Sequence, residues 1–262
     1  SDNRSIRQHL AMPFSDTELA LAKTSHILRE VPFCAVCEML ENNADAQLIL
    51  PANEIFVTQG QLNPGLFLVV HGIVELFTVD RRGQDKVIDF VQAGNTLAEE
   101  TLLTTQPLPY SARTLTEAAI LHLPNEQIEA WQEQHPQFAR MLLSHIAQRM
   151  NYLSNDMLTL RSKKAAARLV CYLLCHFNKA PKTPDGSYSL DLPFPRSKLA
   201  SRLGITNSHL SRALRELQDA GLIVPQGRGY FIPNVPALSR HVCPAGCDFG
   251  PIRTEEGNQF TQ

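Results

Sequence analysis

The densest set of side chains suited to chemistry lies between Arg196 and Arg228. Asn207, Ser208, His209, Ser211, Arg212 and Arg215 interleave with Leu210, Leu214 and Leu217. The leucines recur at helical spacing, so they form one buried stripe and leave the polar groups on the other side. That polar face can hydrogen-bond the edges of nucleic-acid bases. Arg212 can make a bidentate contact with guanine, and Asn207 and His209 can read neighbouring positions. Arg196, Lys198, Arg202 and Arg215 also have a plainer reading, as phosphate contacts or solvated surface. Phosphate contacts add affinity but read no sequence.

A reading face needs elements to hold it. Ala200 is small enough for two helices to cross, Gly204 can take the left-handed turn four residues later, and Leu210 begins the buried stripe. Small, glycine and apolar at offsets 0, 4 and 10 predict a helix–turn–helix, whose second helix lies in the major groove. Gly221–Val224 and Tyr230–Ile232 flank Gln226-Gly227-Arg228-Gly229. This pattern predicts a hairpin wing whose tip, Arg228, reaches phosphate. Charge agrees with it. Residues 161–240 carry 13 Lys/Arg and 4 Asp/Glu, a net +9, whereas residues 1–160 carry 10 and 19, a net −9. A basic module joined to an acidic one suggests a polyanion-binding part fused to something else. Trihelical modules also dock on proteins, so a ligand-binding module that regulates a protein partner is the alternative.

The acidic part has a different grammar. Runs at Leu48–Leu50, Glu54–Val57, Leu66–Val70, Ile73–Val79, Lys86–Val91, Ala112–Leu115 and Ala119–Leu123 alternate with Gly, Pro and Asn turns. Short strands at this spacing predict a jelly roll, and no 10–15-residue helices separate them as a parallel α/β sheet would require. Residues 15–44 read as short helices. After Pro124 comes one short helix and then a long one. Leu143, Ile146, Met150, Leu153, Met157 and Leu160 are spaced 3, 4, 3, 4, 3 apart, a heptad seam suited to a second copy of the chain. The fold expectation is α+β. It comprises an N-terminal segment (1–24), a jelly-roll sensor domain (25–123), a short helix plus dimerisation helix (124–160), a winged helix–turn–helix (161–236) and a cysteine-containing tail (237–262).

This order of parts resembles the CRP/FNR family of bacterial transcription regulators over about residues 25–235. Leu50-Pro51-Ala52-Asn53-Glu54, Leu66 to Val74, and Gly94 with Ala98-Glu99-Glu100 carry the likeness. Asn95 to Glu99 looks most like the denitrification regulators of the Dnr branch, which bind haem and respond to nitric oxide. The resemblance implies an effector pocket around Glu99, Tyr110, Ser111 and Arg113. Cyclic-AMP-binding members have an Arg-Ser pair where this chain has Tyr110-Ser111. A carboxylate without that arginine repels a phosphate, so the sequence argues against cyclic AMP. Haem needs an axial ligand, and His71 and His26 are the candidates considered for haem b. Cys34, Cys37, Cys243 and Cys247 could together supply four thiolates for an iron–sulfur cluster, a zinc ion or a thiol-based redox sensor. Ser208 stands where many members carry a base-reading glutamate, so the half-site should differ from a TGA-type core.

The chain has 262 residues, enough for two domains, and no apolar run approaches the roughly 20 needed to span a bilayer. It opens on charged and polar residues, so the expected compartment is the cytoplasm. Cupin-type enzymes need clustered histidines, whereas only His71 and His122 lie in the strand region. The expectation is therefore a non-enzymatic homodimer on palindromic double-stranded DNA, with RNA polymerase as a further partner and no membrane. Effector, operator and sign of regulation stay open.

Overall fold

The run from Gly65 to His71 is apolar on both of its faces, and the reason is that both are covered. The computed structural model describes residues 14–242 apart from 24, 30, 44–45, 103, 105, 163, 177–186, 191 and 193. The chain divides into two compact units, residues 1–147 and 148–262. In chain order the first contains helices α1 (Asp16–Lys23) and α2 (Phe33–Asn42), then strands β1 (Gln47–Leu50), β2 (Ile55–Val57), β3 (Gly65–His71), β4 (Ile73–Val79), β5 (Asp85–Gln92) and β6 (Thr96–Leu97). A 3-10 turn (Glu99–Thr101), β7 (Ser111–Thr114), β8 (Ala118–Pro124) and α3 (Asn125–Gln134) follow.

Two antiparallel four-stranded sheets, β1-β8-β3-β6 and β2-β7-β4-β5, form the jelly roll. Alternation assigns the faces. Leu66, Leu68 and Val70 of β3 join Leu121 and Leu123 of β8 in a cluster with Leu28, Trp131, Phe138 and Leu142. Phe67, Val69 and Ile120 point the other way, into a second cluster with Val74, Leu76, Val91 and Ala112 of the opposing sheet. Gly65 and Gly72 bracket β3 at φ 146° and 87°, and a Cβ on either would meet a backbone oxygen at 2.1 or 2.4 Å. The strands follow the sequence expectation to within about a residue. The exception is β6, whose two residues are too few to show a period.

Helix α4 (Pro136–Ser162) begins in the first unit and ends in the second. It stops before α5 (Ala165–His176), β9 (Tyr188–Leu190), α6 (Arg196–Arg202), α7 (Asn207–Asp219), β10 (Val224–Gln226), β11 (Gly229–Ile232) and α8 (Val235–Val242). The strands β10-β11-β9 form a small antiparallel sheet. Residues 1–13, most of the loop after α5, and the tail with Cys243 and Cys247 lie outside the described residues.

Candidate nucleic-acid interface and effector region

Gly204 takes φ 63° directly after α6, which turns the chain into α7. The Thr206 hydroxyl caps α7 by accepting from the His209 N–H at 3.2 Å. Leu210, Ala213, Leu214 and Leu217 are buried. Asn207, Ser208, His209, Ser211, Arg212 and Arg215 are all exposed. Asn207, Ser208, Ser211, Arg212 and Arg215 line one shallow groove along the start of the helix. His209 and Arg212 line a second concavity with Lys164 and Ala165 at the start of α5. Arg228 is exposed at the tip of the β10–β11 hairpin, after Gly227 at φ 56°. Arg196 is exposed and Lys198 half-buried. Arg202 departs from the surface or phosphate role expected of it. Its side chain is buried, and its Nη2 donates to the Tyr152 hydroxyl at 2.8 Å and pairs with Asp156 at 3.0 Å.

On α4, Leu143, Met150, Leu153 and Met157 are exposed, the first two by 61% and 64%. Water-facing apolar groups at heptad spacing form a stripe without cover in the single chain. Ile146 departs in part, because it packs against the first unit's own core. Leu160 is half-buried. Leu158 adds an exposed apolar group that the heptad reading omitted.

In the jelly roll, Ala98 adopts φ 73° and Glu99 is buried behind it. The Tyr110 hydroxyl accepts from the Ala98 N–H at 2.9 Å. Burial pushes the Tyr110 phenol well above its ordinary range, and the charges of Glu100 and Glu99 push it further. Ser111 accepts from the Gln59 N–H at 3.0 Å. Thr96 donates to Glu99 at 3.3 Å and meets His145 Nε2 of α4 at 2.6 Å.

Arg113 requires a correction as a pocket residue. Its Nη2 lies 2.8 Å from Glu75, which is wholly buried, and 2.6 Å from Asp85, and its guanidinium covers the Phe77 ring. Partial burial opposes its charge, but Glu75 and Asp85 hold it above its usual value. The cation is spent on these carboxylates. Glu75 is the paired residue directly opposite Arg113 on β4, and a cross-strand pair leaves little reason to serve Glu99. The Ala98 N–H thus has a partner in Tyr110, and the Arg113 cation pairs with Glu75 and Asp85.

His71, a candidate haem ligand, is exposed at the end of β3, beside the tight turn at Gly72. His26 is half-buried and faces His145, with ring centroids 6.1 Å apart. Sequence reasoning missed Thr96 and His145. Neither breaks a local pattern, since His145 is one more polar residue on an amphipathic helix. Cys34 is exposed on the first turn of α2, Cys37 is half-buried on the second, and Cys171 is buried. Two thiols do not complete a four-thiolate site, and Cys243 and Cys247 lie outside the described residues. Among the described residues, no three His, Cys, Asp or Glu side chains are grouped to hold a metal ion, and no helix is long and apolar enough to cross a membrane.

Comparison with known proteins agrees with both parts. Residues 47–135 match the cyclic nucleotide-binding domain, and residues 167–241 match the Crp-like helix–turn–helix domain. The chain is 26% identical over 163 residues to the HTH-type transcriptional regulator Cmr of Mycobacterium tuberculosis, covering 62% of each chain. It is 24% identical over 183 residues to the transcriptional activator protein Anr of Pseudomonas aeruginosa, covering 70% of this chain and 75% of that one. The structure of FixK2 from Bradyrhizobium japonicum superposes with a TM-score of 0.65 at 22% identity, over 75% of this chain and 96% of that one. At that identity the likeness speaks for the fold.

Proposed function

The chain belongs to the CRP/FNR family of transcription regulators, and on that premise we propose that it is a homodimer that reads a palindromic DNA site through α7. Members of this family are regulators, not enzymes. The observation that carries the proposal is the division of α7 into a buried leucine face and an exposed face of Asn207, Ser208, Ser211, Arg212 and Arg215. Arg212 takes a guanine edge. Ser208 offers no carboxylate to a cytosine amino group, so the pair beside that guanine is read less strictly. Lys198 and Arg228 hold phosphates. The α4 stripe joins two copies, and half-sites then lie about one helical turn apart. RNA polymerase is the partner of an activator of this kind. The test is selection from a duplex pool with random half-sites. Palindromes with a guanine in each half-site, bound more weakly as salt rises, support the proposal. Recovery of no sequence, at any salt, rejects it.

Within the jelly roll the geometry favours a signal other than a cyclic nucleotide. The second reading is haem, which would supply an iron that binds nitric oxide, as the Dnr-like stretch at Asn95 to Glu99 suggests. His26, half-buried beside His145, is the candidate axial ligand that supports it, because an imidazole is a common protein ligand of haem iron. Protein purified without oxygen should then show a Soret band that His26→Ala abolishes. A colourless protein prepared with adequate haem would reject this reading and leave the DNA reading intact.

A further inference from the structure

Arg202 sits on α6, the first helix of the helix–turn–helix, yet it does not face solvent. It is 3% exposed. Its Nη2 reaches two residues of α4 at once, Tyr152 at 2.8 Å and Asp156 at 3.0 Å. Its guanidinium also stacks over the Tyr172 ring of α5, 5.3 Å from the centroid. Tyr152 and Asp156 are one turn apart, about a third of the way round α4 from Met150, Leu153 and Met157. One end of α4 therefore offers two faces with different roles. One is the uncovered apolar stripe, and the other grips α6. A second arginine adds to the grip, since Arg168 of α5 donates to the Leu203 carbonyl at 3.3 Å. A buried guanidinium has a high desolvation cost unless it is paired, and Asp156 supplies the pairing here.

We propose that Arg202 is a positioning residue, which with Asp156 and Tyr152 clamps the reading module to the α4 segment that carries the dimer stripe. The inference rests on the dimeric DNA reading above. In the dimer, each recognition helix takes its place from α4 through α6. The clamp therefore sets the distance and angle between the two recognition helices, and so the spacer the dimer tolerates. Arg202 touches no base and no phosphate in this role.

The test uses the full chain and a palindrome recovered from the random half-site pool. Spacers are altered by one base pair in either direction, which rotates one half-site by about 34°. The wild type should lose about tenfold or more in affinity on either change. Arg202→Met with Asp156→Leu replaces the ion pair by apolar groups of similar bulk, a change that folds often accept. It should lose less than about threefold on the same spacers, while its affinity for a single half-site stays within about twofold of wild type. Melting temperature and dimer mass are recorded alongside. Should the double variant fail to fold, Tyr152→Phe removes one bond of the clamp and should show a smaller relaxation of the same kind. A full wild-type spacer penalty in folded variants overturns the proposal. A wild type that binds no palindrome overturns the DNA reading instead.

Discussion

Tyr110 plays a structural part in the jelly roll. Its hydroxyl accepts from the Ala98 N–H, and burial keeps the phenol neutral. The folded value is raised, so the associated stability is complete below the unfolded value of about 10 and is lost as pH rises beyond it. An absorbance titration at 295 nm should therefore find Tyr110 silent near pH 10, with its ionisation appearing only on unfolding. Tyr110→Phe should shrink that late step without abolishing it, because burial also holds the Tyr230 phenol up. Arg113 makes a second case. Arg113→Ala strips the cation from wholly buried Glu75 and should destabilise the first unit by about 3–5 kcal/mol in a denaturant titration. On α7 the expected effects differ by role. Arg212→Ala should weaken specific DNA binding by about 1–3 kcal/mol and relax preference at one position of each half-site. Lys198→Ala should weaken all duplexes alike, as measured by titration of matched and mismatched sites.

At the scale of elements, α4 carries the stripe proposed to join two copies. Leu143, Met150, Leu153 and Met157 are exposed on one stripe of a helix whose Phe138 and Leu142 are buried in the first unit's core. Met157→Asp should turn a dimer into a monomer in sedimentation without a large change in melting of either unit, because the side chain has no cover in the single chain. Ile146→Asp should instead lower stability, since Ile146 also packs on the core. The heptad was legible because its period differs from that of the strands. The dual role of Ile146 was not, because periodicity does not tell which neighbour a face meets. Strand β6 was hidden for a related reason. Two residues carry no alternation, and only pairing with Phe67 and Leu68 of β3 makes them a strand.

For the whole molecule, the net charge of −2 conceals a +9 stretch behind a −9 stretch. Binding should follow the basic part. If the dimer neutralises six to ten phosphates, affinity should fall by about 10³–10⁵ between 50 and 200 mM salt. A flat salt response in a competition assay would point to a protein partner instead. The acidic sensor part should also slow non-specific association, because like charges repel the duplex.

The amino-acid order by itself determined the jelly roll, the long helix and the reading helix, because each is encoded by a local period of apolar residues and by glycines where the chain must turn. The exposed face of α7 was legible for the same reason: a buried leucine stripe leaves only one other side. Tertiary structure alone decided which polar groups meet. Arg113 goes to Glu75 and Asp85, Tyr110 to Ala98, Thr96 to His145 and Arg202 to Asp156, pairs separated by 12 to 49 positions. A charged or polar side chain has a similar local pattern whether it faces water or a buried partner. Only the packing of distant elements removes the water and makes the choice.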